Sequence, residues 1–263
     1  MDPLNGDGSV RNERSCYVMS RFAYTIDDGI VLLTMNSGEN RFNPDFLHEL
    51  NDVLDLIEAE DARVMVVTSA HPHIFSNGID LDWVLPVLSA QDITSFYSYL
   101  SNMNALMKRL TLFPMPTIAA INGHAFAGGA VLCCCFDFRL MRSDRGYFCL
   151  PEVDLGVPFL PGMIAVLKKA MPTSALEELQ YTGKRFTAQE CVARGIVHTA
   201  CQKETLMDET MAFAKTLKKR PDVIAEMKLV MYQDVIHAID IEDPRKIEAG
   251  WHKWFINAVG SQE

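Results

Sequence analysis

Thr117-Ile-Ala-Ala-Ile-Asn-Gly-His-Ala-Phe-Ala-Gly-Gly129 reads as a strand, a glycine turn and a helix start in close succession. Thr117–Asn122 has the apolar, β-branched character of a strand buried on both faces. Gly123 breaks it, and Ala127-Gly128-Gly129 opens a short apolar helix running through Cys135. Arg63–Thr68 (RVMVVT) begins a second copy of the arrangement, followed further on by Asn77-Gly78-Ile79. Glycine lets a backbone bend sharply and lets other atoms approach the main chain. A helix start leaves N–H groups without partners, with the positive end of the helix dipole behind them. Two such turns brought together would aim two N–H donors at one oxygen, as enolate formation from a thioester requires; each donor is worth ~10²–10³ in rate. Taken singly, a Gly-Gly pair at a helix start more often serves close helix packing. The Ala-Phe-Ala-Gly-Gly run lacks the Gly-Lys-Ser/Thr of a phosphate-binding loop and the spacing of a dinucleotide fingerprint.

Outward from these turns, strands alternate with helices. Phe22–Ile26 and Ile30–Met35 flank Asp27-Asp28-Gly29, a hairpin signal. Asn43 and Pro44 suit the start of a helix whose face is Phe46, Leu50, Val53, Leu54 and Ile57. A second helix spans roughly 91–112 and stops at Pro114 and Pro116. Phe138–Met141 reads as a strand, with a hairpin at Ser143-Asp144-Arg145-Gly146 entering Tyr147–Leu150. Beyond Pro158 helices dominate, and Ser174…Glu177 and Thr187…Glu190 have the spacing of capping boxes. The expected architecture is an α/β core with a helical C-terminal segment, residues 1–20 being a flexible polar lead-in.

Composition bounds the partners. The chain has 263 residues, 49% of them hydrophobic, enough for the core of one large domain. Against 34 acids stand 24 bases, so the net charge of -10 gives no general attraction for nucleic acid. The seven cysteines have no disulfide-like spacing and read as reduced small hydrophobes. No metal site is expected, nor a membrane span or a signal peptide. A soluble intracellular protein is expected; the C-terminus lacks Ser-Lys-Leu, and peroxisome, mitochondrion and cytosol are not separated.

Three segments in order resemble the crotonase (enoyl-CoA hydratase/isomerase) superfamily: Phe75-Ser-Asn-Gly-Ile-Asp-Leu81, Pro114-Met-Pro-Thr-Ile-Ala-Ala-Ile-Asn-Gly-His124 with Ala127-Gly128-Gly129, and Pro151-Glu-Val-Asp-Leu-Gly156. The likeness runs from about Phe22 to near the C-terminus. It implies a spiral of ββα turns over residues 21–198, a helical trimerisation region over 199–263, and homotrimers or paired trimers. It implies that the N–H groups of Ile79 and Gly128 form an oxyanion hole for the thioester carbonyl. It also implies substrate contacts at Ser76, Asn77, Gly78, Asp80, Leu81 and Pro151, and catalysis by Glu152. Coenzyme A would enter as part of an acyl-CoA substrate, with no separate cofactor. Asn77 stands where alanine is commoner in the family.

Two departures narrow the implied activity. Hydratases of the family carry two glutamates; here the first position is Val131 and only Glu152 remains. Dienoyl-CoA isomerases add an aspartate where this chain has Leu160. A single carboxyl suits a proton shuttle, and the resemblance is nearest to monofunctional Δ3,Δ2-enoyl-CoA isomerases of fatty acid β-oxidation. A hydratase or other crotonase reaction, or a non-catalytic acyl-CoA-binding module, are the alternatives. Phe148, Cys149, Leu150, Val131 and Leu132 are expected to surround Glu152, and burial to raise its pKa. Trp83, Trp251 and Trp254 are expected to be packing residues, with Trp83 near the acyl path.

Overall fold

In a computed structural model that describes residues 15–260, the strands fall into one large sheet and two small ones. In chain order they are β1 (Ser15–Val18), β2 (Phe22–Asp27), β3 (Ile30–Met35), β4 (Arg41–Phe42), β5 (Val64–Ser69) and β6 (Ile74–Ser76). Then follow β7 (Gly78–Ile79), β8 (Thr117–Ile121), β9 (His124–Phe126), β10 (Phe138–Arg142), β11 (Phe148–Cys149) and β12 (Thr199–Cys201). The large sheet has the order β1-β2-β3-β5-β8-β10-β12, and the small ones β11-β9-β6 and β4-β7. The β1-β2-β3 meander is antiparallel; every pairing from β3 to β12 is parallel.

A parallel sheet must be covered on both faces, and the alternation of side chains shows how. Val64, Val66, Ile118, Ala120 and Leu140 turn to a smaller apolar cluster that includes Leu206 and Ala214 of helix Leu206–Thr216. Met65, Val67, Ala119 and Ile121 turn to the main core, where helices Pro44–Glu58 and Ile93–Thr111 contribute Phe46, Leu50, Phe96, Leu100 and Met103. Each large-sheet strand from β5 to β10 is followed by a short strand of a small sheet and then by helix. β5 leads to β6 and β7, β8 to β9, and β10 to β11. That repeated unit is the ββα spiral, with helices filling most of the chain after β12.

Local expectations mostly hold. The hairpin turns through Asp28 and Gly29 at φ 49° and 69°. Asn43 caps the first helix by accepting the Phe46 N–H at 3.0 Å. The Thr187–Glu190 capping box is complete, each side chain meeting the other's backbone N–H. Six cysteines (133, 134, 135, 149, 191 and 201) are free and buried.

Four expectations are corrected. Ser15–Val18 is a strand paired with β2 rather than lead-in, while the rest of that segment, residues 1–14, lies outside the described residues. Ser143–Gly146 does not join a hairpin, because β10 pairs with β8 and β12 while β11 pairs with β9 in another sheet. Arg142 braces that crossover, ion-paired to Asp144 and donating to the carbonyls of Pro72 and Asn122. Ser174 caps nothing: Pro172 already sets the helix start, and Ser174 falls inside Thr173–Thr182. The helix expected over 91–112 is Ile93–Thr111, and a further helix, Leu81–Ser89, precedes it, separated from it by Gln91 at φ 58°. Finally, β12 belongs to the large sheet, so a core ending at residue 198 is one strand too short.

Candidate active site

The two glycine turns meet. Gly78 adopts φ +75°, and a Cβ placed on it would stand 2.5 Å from the amide nitrogen of Gly128. A Cβ on Gly128 would lie 3.4 Å from the Ile79 nitrogen, and one on Gly129 only 2.1 Å from the Ser76 carbonyl oxygen. Only glycine permits this approach of two main chains. Gly128 is the first residue of helix Gly128–Cys135, so its N–H has no acceptor within that helix. The preceding residue, Ala127, is held at φ 50°, ψ -126°, where a side chain is strained by about 1–3 kcal/mol. Its N–H is anchored to the Cys149 carbonyl at 3.0 Å.

Other loop residues hold this arrangement from behind. Buried Ser76 donates to the Asn40 carbonyl at 2.7 Å and accepts the Gly78 N–H at 3.1 Å. Asp80 accepts from Asn43 Nδ2 at 3.0 Å, and its N–H donates to Phe42 O. Asn77 donates from Nδ2 to Glu39 Oε2 at 3.0 Å, a tie that alanine there would lack.

Glu152 begins a four-residue helix, Glu152–Leu155, directly after β11 and Pro151. The residue is half-buried, yet its Oε2 is shut from solvent and has no hydrogen-bond partner. Desolvation pushes its pKa up to about 8, with a hydrogen bond from its own backbone pulling slightly the other way. Such a carboxyl holds a proton near neutrality and is a stronger base than an ordinary glutamate once it ionises.

Glu152, Ile79 and Gly128 line one cavity of about 210 Å³, together with Asn77, Leu81 and Pro151. Ser76, Gly78 and Asp80 do not line it; they shape its wall. Glu152 is the one titratable group among the described residues of the lining. Val131 is buried in the core and supplies no second carboxyl. The expected apolar surround is corrected: Phe148, Cys149, Leu150, Val131 and Leu132 belong to the core, and the lining instead uses Phe126, Leu155, Val157, Met163, Trp251 and Phe255. Trp83 packs on Tyr99, ring centroids 4.9 Å apart, and does not line the cavity. Trp251, expected only to pack, is a wall residue whose Nε1–H donates to Pro158 O at 3.2 Å. No sequence pattern singled out the wall from 155 to 163 and 251 to 255, because ordinary apolar residues make it.

A profile of the enoyl-CoA hydratase/isomerase family matches residues 25–262. The chain belongs to that family. Enoyl-CoA delta isomerase 3 of Arabidopsis thaliana is 31% identical over 221 residues, which cover 81% of this chain and 92% of that relative. The peroxisomal enoyl-CoA delta isomerase 2 of the same plant is 30% identical over 222 residues, covering 81% and 92%. Among solved structures, a probable enoyl-CoA hydratase from Mycobacterium tuberculosis H37Rv superposes with a TM-score of 0.78 over 88% of this chain and 95% of its own. At 24% identity that likeness speaks for the fold alone. The enoyl-CoA hydratase/isomerase family acts on acyl-CoA thioesters, and in this member the two glycine turns and Glu152 share one cavity.

Proposed function

We propose that the chain is an isomerase that converts 3-enoyl-CoA to 2-enoyl-CoA in fatty acid β-oxidation, with Glu152 as a proton shuttle. The observation that carries this reading is the unpartnered Oε2 of Glu152, the lone titratable group among the described residues lining a cavity that also holds the turns of Ile79 and Gly128. The Glu152 carboxylate removes a C2 proton, made acidic by both the carbonyl and the alkene. The C2–H electrons form the C1–C2 double bond of a dienolate and the carbonyl π pair moves onto the oxygen, which accepts from the Ile79 and Gly128 N–H groups. The Glu152 carboxylic acid then returns the proton to C4, leaving the alkene conjugated. One carboxyl suffices, because the proton that leaves is the proton that comes back. Hydration asks for a second group to activate or protonate, and Val131 offers none. The isomerase names of the two plant relatives support the same choice.

Supplying 3-enoyl-CoA and 2-enoyl-CoA separately tests the proposal. Conjugation of the first without hydration of the second is expected, and Glu152→Gln should lower turnover ~10²–10⁴-fold while acyl-CoA still binds. Near-normal turnover in Glu152→Gln removes the residue from the mechanism. Rapid hydration of 2-enoyl-CoA makes the protein a hydratase, and binding with no turnover makes it a non-catalytic module. The proposal includes self-association as a homotrimer or paired trimers: helix Pro221–Met231 leaves Met227, Val230 and Met231 exposed, an apolar face of the kind association covers.

A further inference from the structure

We infer that the cavity is an acyl pocket for chains of roughly eight carbons, ended by Trp251 and Phe255. This rests on the reading that places a thioester carbonyl at the Ile79 and Gly128 amides. Size comes first. An apolar cavity of about 150 Å³ takes a six-carbon ring, and this one measures about 210 Å³. That is below the usual volume of a site for a whole drug-sized ligand, so the nucleotide portion of coenzyme A lies outside and the acyl group alone is enclosed. The lining chemistry agrees. Apart from Glu152 and Asn77, every side chain facing the cavity is apolar.

The end wall is rigid. Trp251 and Phe255 are 3% and 7% exposed, and both come from the C-terminal segment. The indole N–H of Trp251 is satisfied by the Pro158 carbonyl, which leaves the ring to act as an apolar surface. Phe255 meets Trp251 edge-on with centroids 5.3 Å apart, and meets Phe96 likewise at 5.8 Å. Phe96 is itself fully buried on helix Ile93–Thr111. Moving Phe255 aside would break both ring contacts, so a longer chain gains no room by a simple rotamer change. Leu155, Met163, Trp251 and Phe255 line the same cavity as Glu152 and the glycine turns.

Calorimetry with unreactive saturated acyl-CoAs of four to sixteen carbons reads the pocket without requiring turnover. Affinity should rise about fourfold per added methylene up to roughly eight carbons and then stop rising. Phe255→Ala, and the milder Phe255→Leu, should move that break to longer chains. Continued tightening to sixteen carbons in the native protein overturns the inference, as does an unmoved break in a folded Phe255 variant. The two readings fail separately. A break at eight carbons with no isomerisation of any 3-enoyl-CoA keeps the pocket and discards the isomerase; isomerisation with no break does the reverse.

Discussion

One side of the cavity is made of main chain and the other of side chains. Around Ser76–Ile79 and Ala127–Gly129 the atoms given to the proposed chemistry are backbone amides, and the approach is so close that a methyl group added at Gly78 or Gly129 has nowhere to go. Around Leu155–Met163 and Trp251–Phe255 the wall is ordinary apolar packing, where any side chain of suitable bulk would serve. The difference separates catalysis from selection. Under the proposed function, the main-chain wall cannot be altered without losing the chemistry, whereas the side-chain wall can be resized while the chemistry stays in place.

The most severe break of that contrast is Gly78→Ala. Its methyl would meet the Gly128 nitrogen, and its φ of +75° already disfavours a side chain. We expect a loss of at least ~10² in kcat/KM, as for removal of one oxyanion donor, with stability lower by about 2–3 kcal/mol; steady-state kinetics and chemical denaturation measure both. The second prediction concerns pH. With the Glu152 pKa pushed up to about 8, the reactive carboxylate becomes populated as pH rises, so kcat/KM should climb between pH 6 and 8 and level off above. Stability runs the opposite way. Between the ordinary glutamate value and about 8 the folded state keeps a proton that the unfolded chain has lost, so rising pH across that window destabilises the fold. Thermal melts of the wild type and Glu152→Gln from pH 5 to 9 should diverge, the variant showing the flatter dependence.

Phe255→Leu probes the other wall. Losing part of a buried ring should cost about 1 kcal/mol in denaturant melts, while kcat on a short 3-enoyl-CoA changes less than threefold, about 0.6 kcal/mol. A collapse of kcat on that substrate would erase the proposed distinction between the walls. The smallest effect is expected of Ala127→Gly. Glycine tolerates the φ 50°, ψ -126° conformation of that residue, so relief of strain offsets glycine's greater freedom in the unfolded chain, and the melt should shift by no more than about 1 kcal/mol in the stabilising direction.

How much of this was legible beforehand follows the same division. The strands at 64–69 and 117–121 announced themselves through uninterrupted apolar runs, since a parallel strand buried on both faces needs them. Gly78, Gly128 and Gly129 stood out because their absent side chains have a conformational or steric reason. Glu152 was visible through its place after Pro151 in a recognisable segment. Ser143–Gly146 misled, because a polar turn between two strand-like runs has the same composition whether the strands pair or part into different sheets. Ser174 misled because a capping pattern does not reveal that Pro172 has already started the helix.

By itself, then, the amino-acid sequence determined the alternation of buried strands, glycine turns and helices, and through the family resemblance it marked Glu152, the carboxyl of the proposed proton shuttle. Those features depend on local backbone freedom and on burial periodicity, which short segments express directly. Tertiary structure alone decided that Glu152 shares a cavity with Ile79 and Gly128, that desolvation raises its pKa, and that Trp251 and Phe255 line the same space. Each of these requires groups far apart along the chain to exclude water from the same small volume, and no local pattern encodes that meeting.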